Sequence, residues 1–191
     1  MSRRHTLVLD LDETLLHSDD ATEEALAAFD RKPDYRVPGT SMVGWLRPHL
    51  KEFLEYAFDN FDVIVWTAGS KEYADVVVPE AFRRHGVPMP RRVLSADDCV
   101  PRLENTGWYC YEKARYKPLP KLWQRGLSHK NTLIVDDRAD TASDNIANLI
   151  LMPAFLRDDD RLRQLQRWLE RNDVPRRKNL ATLDKTRWWL E

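Results

Sequence analysis

The chain has 191 residues, 42% hydrophobic and 32% charged, which is enough to bury the core of one domain. Its 30 basic and 31 acidic side chains give a formal net charge of -1, which excludes a global attraction to nucleic acid or an anionic membrane. The two cysteines, Cys99 and Cys110, show no metal-ligand or disulfide pattern and favour a reducing intracellular compartment, cytoplasmic or nuclear. We expect a monomer without a signal peptide or a membrane span.

Short apolar runs alternate with helical patterns along the chain. The runs are nearly continuous rather than alternating, which is typical of strands buried on both faces of a parallel sheet. In chain order we expect strand 6–9, helix 49–58, strand 61–66, a helix from 70 to about 85, helix 118–125, strand 132–135, strand 149–152 and a final helix. This alternation predicts an α/β fold with a doubly wound, mostly parallel sheet.

Local signals mark several helix ends. Ser70 is the expected N-cap of the second helix, and Gly86 is its expected stop. Pro79 is expected to kink or split that helix, because proline lacks the N–H that the helix needs. Asp158 is the expected cap of the last helix, whose buried side would carry leucines 162, 165 and 169.

Two segments interrupt the alternation within the single domain expected for residues 1–191. In residues 19–43, prolines and a glycine break any longer pattern, which predicts a loop with a small hairpin around 37–43. Residues 87–116 predict a second insertion that is loop-rich or made of short strands. Residues 172–191 are expected to form a tail that docks on the domain through its tryptophans. Both insertions are too short for a separate cap domain.

Polar residues follow the predicted strands where a parallel sheet presents its ligand-binding edge. Asp10 and Asp12 follow the first strand, and Thr67 and Ala68 follow the second. Lys117 precedes the third helix, and Asp136-Asp137 follows the third strand. We therefore expect these side chains to meet at one edge.

This set of residues favours phosphoryl transfer. One carboxylate can attack phosphorus, and a second can protonate the leaving oxygen and later activate water. Mg²⁺ prefers hard oxygen ligands, which Asp10, Asp136 and Asp137 offer together with a backbone carbonyl of the first loop. Lys117, the Thr67 hydroxyl and neighbouring backbone N–H groups such as that of Ala68 can steady the phosphoryl oxygens.

The segment 8–15, Val-Leu-Asp-Leu-Asp-Glu-Thr-Leu, resembles the D-x-D-x-T signature of haloacid dehalogenase superfamily phosphatases. The chain is more narrowly similar to the branch of RNA polymerase II C-terminal-domain phosphatases and NLI-interacting-factor-like phosphatases. The further motifs of this resemblance are Leu46-Arg47-Pro48, Trp66-Thr67-Ala68-Gly69 with Lys71, Tyr73, Ala74 and Asp75, Lys117-Pro118-Leu119 and Ile134-Val135-Asp136-Asp137-Arg138. The likeness runs from about residue 6 to 170.

The resemblance implies a role for each matching residue. Asp10 would be the phosphorylated nucleophile, and Asp12 the acid/base whose backbone carbonyl also binds Mg²⁺. Thr67 and Lys117 would bind the phosphoryl group, and Asp136 and Asp137 would hold the metal. Lys117 is preferred to Lys113 because it opens a helical pattern at the family's usual distance before the third strand.

Three functions stay open at this point. The first is a phosphatase acting on phosphoserine or phosphothreonine in a protein. The second is the same chemistry on a nucleic-acid end, a nucleotide or a small metabolite. A cluster of arginines near the second insertion keeps this alternative open, namely Arg83, Arg84, Arg91, Arg92 and Arg102. The third is a catalytically silent binding scaffold. Arg47 has two interpretations, a contact with the site or a structural ion pair.

Overall fold

The computed structural model describes residues 4–107, 110–123, 127–186 and 188–190. Its strands are β1 Thr6–Leu9, β2 Leu16–Asp20, β3 Tyr35–Arg36, β4 Met42–Leu46, β5 Asp62–Trp66, β6 Arg92–Leu94, β7 Val100–Gly107, β8 Cys110–Tyr116, β9 Thr132–Asp136 and β10 Leu149–Leu151. Its α-helices are α1 Glu23–Ala27, α2 Leu50–Asn60, α3 Lys71–Phe82, α4 Pro120–Trp123 and α5 Arg161–Arg171. Short 3-10 segments include Arg83–His85, Ala96–Asp98 and Asp140–Asn148.

A five-stranded parallel sheet in the order β10-β9-β1-β5-β6 forms the centre of the molecule. Alternate residues of β1 point to opposite faces, so Leu7 and Leu9 pack with α2, α3 and α5 while Val8 packs with α4. Both faces of β1 are therefore buried, which explains its continuous apolar run. The predicted doubly wound α/β fold is confirmed.

The predicted helices form with small differences at their ends. Ser70 caps α3 through a hydrogen bond from the Tyr73 N–H, and Gly86 ends the following turn with φ of 70°. Pro79 does not split α3, which is continuous from Lys71 to Phe82. Asp75, whose carbonyl loses an N–H partner to the proline, is an exposed residue. The expected helix 118–125 is observed as α4, and residues 124–126 lie outside the described residues.

Asp158 was wrongly predicted to cap the last helix. Helix α5 begins at Arg161, with Asp160 in the N-cap position. The carboxylate of Asp158 instead accepts hydrogen bonds from Arg31 at 3.0 and 3.1 Å. Three successive aspartates precede this helix, so the sequence pattern could not choose among them. The predicted buried leucines of α5 are all fully buried.

The two interrupting segments contain more regular structure than the sequence indicates. Residues 19–43 include α1, and their hairpin belongs to a wider antiparallel sheet in the order β2-β4-β3. Residues 87–116 include the hairpin β7-β8, as expected of short strands. The same segment also contains β6, which extends the central sheet by pairing with β5. The second insertion therefore begins after β6 rather than at residue 87.

The C-terminal segment packs against the edge strand β10 and α5. Trp188 is buried and donates its indole N–H to the Leu151 carbonyl at 3.0 Å, while Trp189 is partly buried beside it. Aromatic burial of this kind contributes about 1.5–3 kcal/mol per side chain. Across the residues that the structure describes, no helix has the length and apolarity needed to cross a membrane.

Candidate active site

The carboxyl ends of three central strands bring the predicted site residues together. Asp10 directly follows β1, Thr67 directly follows β5, and Asp136 is the last residue of β9. The register is set by the parallel pairing of β1 with both neighbours and by the Asp10 N–H, which donates to the Val135 carbonyl at 3.0 Å. Asp10, Thr67 and Asp136 are all buried, so this edge holds polar groups that need partners.

Lys117 provides a partner for two of these carboxylates. Its ammonium donates to Asp10 Oδ1 at 2.5 Å and to Asp136 Oδ2 at 2.7 Å, and its side chain is only 1% exposed. Burial alone would lower the pKa of Lys117, but the charges of Asp10 and Asp136 outweigh burial and raise it. Lys117 is therefore a fixed positive charge. The side chain of Lys113, the alternative lysine, lies outside the described residues.

Asp10, Asp136 and Asp137 form a group that fits a divalent cation. Each offers a carboxylate oxygen, and the three oxygens lie within 4.8 Å of one another. Burial raises the pKa of Asp10 above its ordinary value, and burial together with the Asp136 charge raises the pKa of Asp137 to about 6. One lysine cannot neutralise three carboxylates, so the group keeps an excess of negative charge. Hard oxygen donors with excess negative charge are the ligands that Mg²⁺ prefers.

The carboxylate of Asp12 lies outside that group and is held from the other side. Its Oδ2 accepts a hydrogen bond from Thr67 Oγ1 at 3.1 Å, and its Oδ1 accepts one from the Tyr73 hydroxyl. The Thr67 hydroxyl in turn accepts from the Gly69 N–H at 2.8 Å. Thr67, which the sequence analysis assigned to the phosphoryl group, thus gives its proton to Asp12 here. Ala68 lies next to it in the same turn.

Two contacts at the site were missed by the sequence analysis. Tyr73, in the first turn of α3, bonds Asp12, and the Thr14 hydroxyl accepts from the Asp137 N–H at 3.1 Å. Tyr73 comes three residues after the N-cap of the helix that leaves the Thr67 turn. That position faces the carboxyl edge of the sheet, and it is the signal that could have identified Tyr73.

Arg47 stabilises the loop that carries the two aspartates. Its buried guanidinium donates to the Thr14 carbonyl at 2.9 Å and to the Pro153 carbonyl at 2.8 Å, and it pairs with Asp159 at 2.6 Å. The loop contains Glu13 at φ of 59°, a left-handed conformation that costs about 1–2 kcal/mol for a residue other than glycine. The structural interpretation of Arg47 is therefore the correct one.

Arg47→Met is expected to lower the free energy of unfolding by about 3 kcal/mol, because it leaves the Thr14 and Pro153 carbonyls without this donor and Asp159 without its charged partner. The expected loss is at the lower end of the range for breaking a buried ion pair, because the Asp159 side chain is 24% exposed. Urea denaturation measures the change. Arg36→Met, at an exposed position of β3, is the matched control. A loss below about 1 kcal/mol for Arg47→Met would contradict the structural role.

The parallel sheet has the haloacid dehalogenase-like α/β fold, with the aspartate pair directly after its first strand. The model of the NLI interacting factor-like phosphatase family matches residues 5–179. The chain therefore belongs to this family and is a phosphoric monoester hydrolase. This assignment confirms the resemblance and the expected class of enzyme.

Individual relatives agree with the family. The chain is 32% identical over 169 residues to the putative CTD phosphatase-like protein 355R of Invertebrate iridescent virus 6, covering 81% of this chain and 88% of that protein. It is 31% identical over 110 residues to a Homo sapiens phosphatase named for the C-terminal domain of RNA polymerase II, covering 56% of this chain and 11% of that protein. The solved structure of Fcp1, an essential RNA polymerase II CTD phosphatase, shares the fold at a TM-score of 0.55 and 24% identity, covering 80% of this chain and 42% of that chain.

Proposed function

We propose that the chain is a Mg²⁺-dependent protein phosphatase that transfers the phosphoryl group of phosphoserine or phosphothreonine to Asp10. The observation that carries the proposal is the pairing of two differently held carboxylates. Asp10 is 4% exposed and contacts Lys117, whereas Asp12 is partly exposed and contacts hydroxyl groups. Two carboxyl groups in different environments can take the separate roles of nucleophile and proton carrier.

In the first step, an oxygen of Asp10 attacks phosphorus and the bond from phosphorus to the leaving oxygen breaks. Asp12 gives its proton to that oxygen, which leaves as the serine or threonine hydroxyl. Lys117 steadies the phosphoryl oxygens and holds Asp10 in place, as its 2.5 Å contact suggests. The Thr67 hydroxyl and the Ala68 N–H are the proposed donors to the phosphoryl group.

In the second step, Asp12 takes a proton from water as the water oxygen attacks the phosphorus of the aspartyl-phosphate. The bond from Asp10 to phosphorus breaks, inorganic phosphate leaves and Asp10 regains its carboxylate. Asp12 is then protonated and ready for another cycle. The same residue serves as acid and as base, which requires its carboxyl group to stay in one position through both steps.

Mg²⁺ would be held by Asp10, Asp136 and Asp137 together with the backbone carbonyl of Asp12. When bound, it supplies positive charge that offsets the carboxylates and polarises the phosphoryl group. The buried carboxylate of Asp136 accepts hydrogen bonds from Lys117 and from the Arg138 N–H, the latter at 2.9 Å. Asp136 would therefore be a rigidly held ligand. Asp137 is more exposed and completes the site from the open side.

The proposal of a macromolecular substrate is supported by access to the site. The chain inserts a three-stranded sheet and one hairpin around the central sheet, and neither is a folded cap. Asp12 and Asp137 are both partly exposed. An open site suits a phosphate carried on a protein chain. The human relative is named for the C-terminal domain of RNA polymerase II, which supports a phosphoprotein and an intracellular location.

The positions of four of the five clustered arginines argue against the nucleic-acid alternative, and the fifth, Arg102, pairs with Asp144 at 3.2 Å. Arg83 and Arg84 follow the far end of α3, and Arg91 and Arg92 begin β6. Because α3 starts beside the site and β6 runs parallel to β5, these four residues lie at the opposite edge of the sheet from Asp10. Arg91 also pairs with Asp62 at 3.5 Å. A nucleic-acid phosphatase needs its positive charge beside the reacting phosphate.

The proposed specificity is tested by kcat/KM for a phosphoserine peptide, a nucleotide and a 5′-phosphorylated oligonucleotide at two salt concentrations. The peptide is expected to exceed the other two by at least about tenfold, and its rate should change little with salt because the four arginines lie away from the site. A nucleotide or oligonucleotide preferred by a hundredfold would overturn the substrate class and leave the Asp10 chemistry standing.

A further inference from the structure

A line of three hydroxyl groups leads from the interior to Asp12. The Tyr73 hydroxyl contacts Asp12 Oδ1, Ser18 Oγ lies 2.6 Å from the Tyr73 oxygen, and the Tyr35 oxygen lies 2.7 Å from Ser18 Oγ. Each hydroxyl has one proton to donate. Since Tyr73 gives its proton to the carboxylate, Ser18 must donate to Tyr73 and Tyr35 must donate to Ser18. Burial raises the pKa of both tyrosines, so both keep these protons at neutral pH.

Two glycines leave the space that the tyrosine rings occupy. A Cβ atom at Gly69 would lie 2.7 Å from Tyr73 Cδ1 and 3.2 Å from Thr67 Oγ1. A Cβ atom at Gly44 would lie 2.0 Å from the Cζ atom of the buried Tyr35. Neither glycine has a positive φ, so neither is needed for backbone conformation. A side chain at either position would collide with a tyrosine ring of the hydroxyl line. Gly44 in β4 and Gly69 in the turn after Thr67 therefore provide the space that these rings need.

We propose that Tyr73 is a positioning residue for Asp12, and that it keeps the proton of this general acid on Oδ2 by donating to Oδ1. The proposal rests on the acid/base role proposed for Asp12. Tyr73 bonds one oxygen and Thr67 bonds the other, so the carboxyl plane is fixed at two points. When Thr67 donates to the phosphoryl group, as proposed, Oδ2 loses its donor while Oδ1 keeps the Tyr73 hydroxyl. The proton of Asp12 then resides on Oδ2, on the side of the residue proposed to bind the phosphoryl group.

The leaving group distinguishes a positioning role from a structural one. A phosphoserine peptide releases an alkoxide and needs protonation, whereas p-nitrophenyl phosphate releases a stable phenolate and needs little. Tyr73→Phe keeps the ring and removes the hydroxyl, so kcat/KM for the peptide is expected to fall about 10- to 100-fold. The fall for p-nitrophenyl phosphate is expected to be at least about tenfold smaller. The KM for the peptide should stay within about threefold, because positioning Asp12 does not bind substrate.

Two companion variants separate the hydroxyl line from a general loss of packing. Tyr56→Phe is the matched control, because the hydroxyl of Tyr56 is buried without a hydrogen bond in helix α2. It should change neither rate. Ser18→Ala removes the donor to Tyr73 and is expected to give a smaller loss with the same leaving-group dependence. Added to Tyr73→Phe, it should cause no further loss, because Ser18 acts only through Tyr73.

Comparing the two substrates in each variant separates a failure of the positioning role from a failure of the proposed function. Equal losses for both substrates in a folded Tyr73→Phe variant, or a loss confined to a raised KM, would overturn the positioning role. Asp12→Asn, measured with the same two substrates, should show an even larger leaving-group dependence. If Asp12→Asn shows none, the acid role of Asp12 fails and the proposed function must be revised. If Asp12→Asn shows it and Tyr73→Phe does not, the positioning role alone fails.

Discussion

Asp10→Asn is expected to abolish turnover, with a fall in kcat of at least about 10⁴-fold. The amide is nearly the same size as the carboxylate, but it cannot form the acyl-phosphate that the first step requires. The fold should persist, because an uncharged amide avoids the burial of a charge, which is the main cause of the raised Asp10 pKa, and because Lys117 keeps Asp136 as a partner. Hydrolysis of p-nitrophenyl phosphate with Mg²⁺ is the measurement.

The control for this variant is Asp19→Asn, which removes an exposed carboxylate from β2. It should retain full activity. Chelation of the metal with EDTA should stop the unmodified protein, and Ca²⁺ should restore little of the rate because its larger coordination shell misplaces the nucleophile. Activity of Asp10→Asn within about tenfold of the unmodified protein would refute the proposed mechanism.

Lys117→Ala is expected to lower kcat about 10²- to 10³-fold, the loss typical of one electrostatic donor in such a site. The Lys117 ammonium contacts both Asp10 and Asp136, so its removal leaves the Asp10 nucleophile less well placed and the phosphoryl oxygens without their fixed positive charge. Rates are measured well below the thermal midpoint of each variant. Any loss of stability from the broken buried pair is then separated from the loss of catalysis.

Lys113→Ala is the matched comparison, because Lys113 lies four residues earlier in β8 and was the alternative choice from the sequence. It should remain close to the unmodified rate. A mild effect of Lys117→Ala together with a large effect of Lys113→Ala would reverse the assignment of the phosphate-binding lysine.

The sequence was most informative where burial dictates composition. Strands β1, β5 and β9 lie between two packed faces, so their apolar runs are continuous and easily recognised. Strand β6 escaped recognition because it has three residues and only one of them is buried. Helix α1 escaped because one of its five residues is buried, which leaves no periodic pattern to detect.

For the site, the sequence predicts which residues lie at the carboxyl edge but not their mutual contacts. The motif spacing indicated Asp10, Thr67 and Asp136, because each follows a recognisable strand. The bond from Tyr73 to Asp12 joins residues 61 positions apart. It depends on the packing of α3 against the first loop and on the space left by Gly69, neither of which a local pattern records.

Chemical trapping of the intermediate shows whether Asp10 carries the phosphoryl group during turnover. The protein is mixed with Mg²⁺ and excess p-nitrophenyl phosphate, quenched in acid and treated with borohydride, which reduces an acyl-phosphate to an alcohol. Trypsin then releases the segment 5–31, which contains both Asp10 and Asp12 and has no internal lysine or arginine. Homoserine is expected at position 10, dependent on Mg²⁺ and substrate and absent from Asp10→Asn. Homoserine at another position, or a stable phosphate on a serine or histidine, would contradict it.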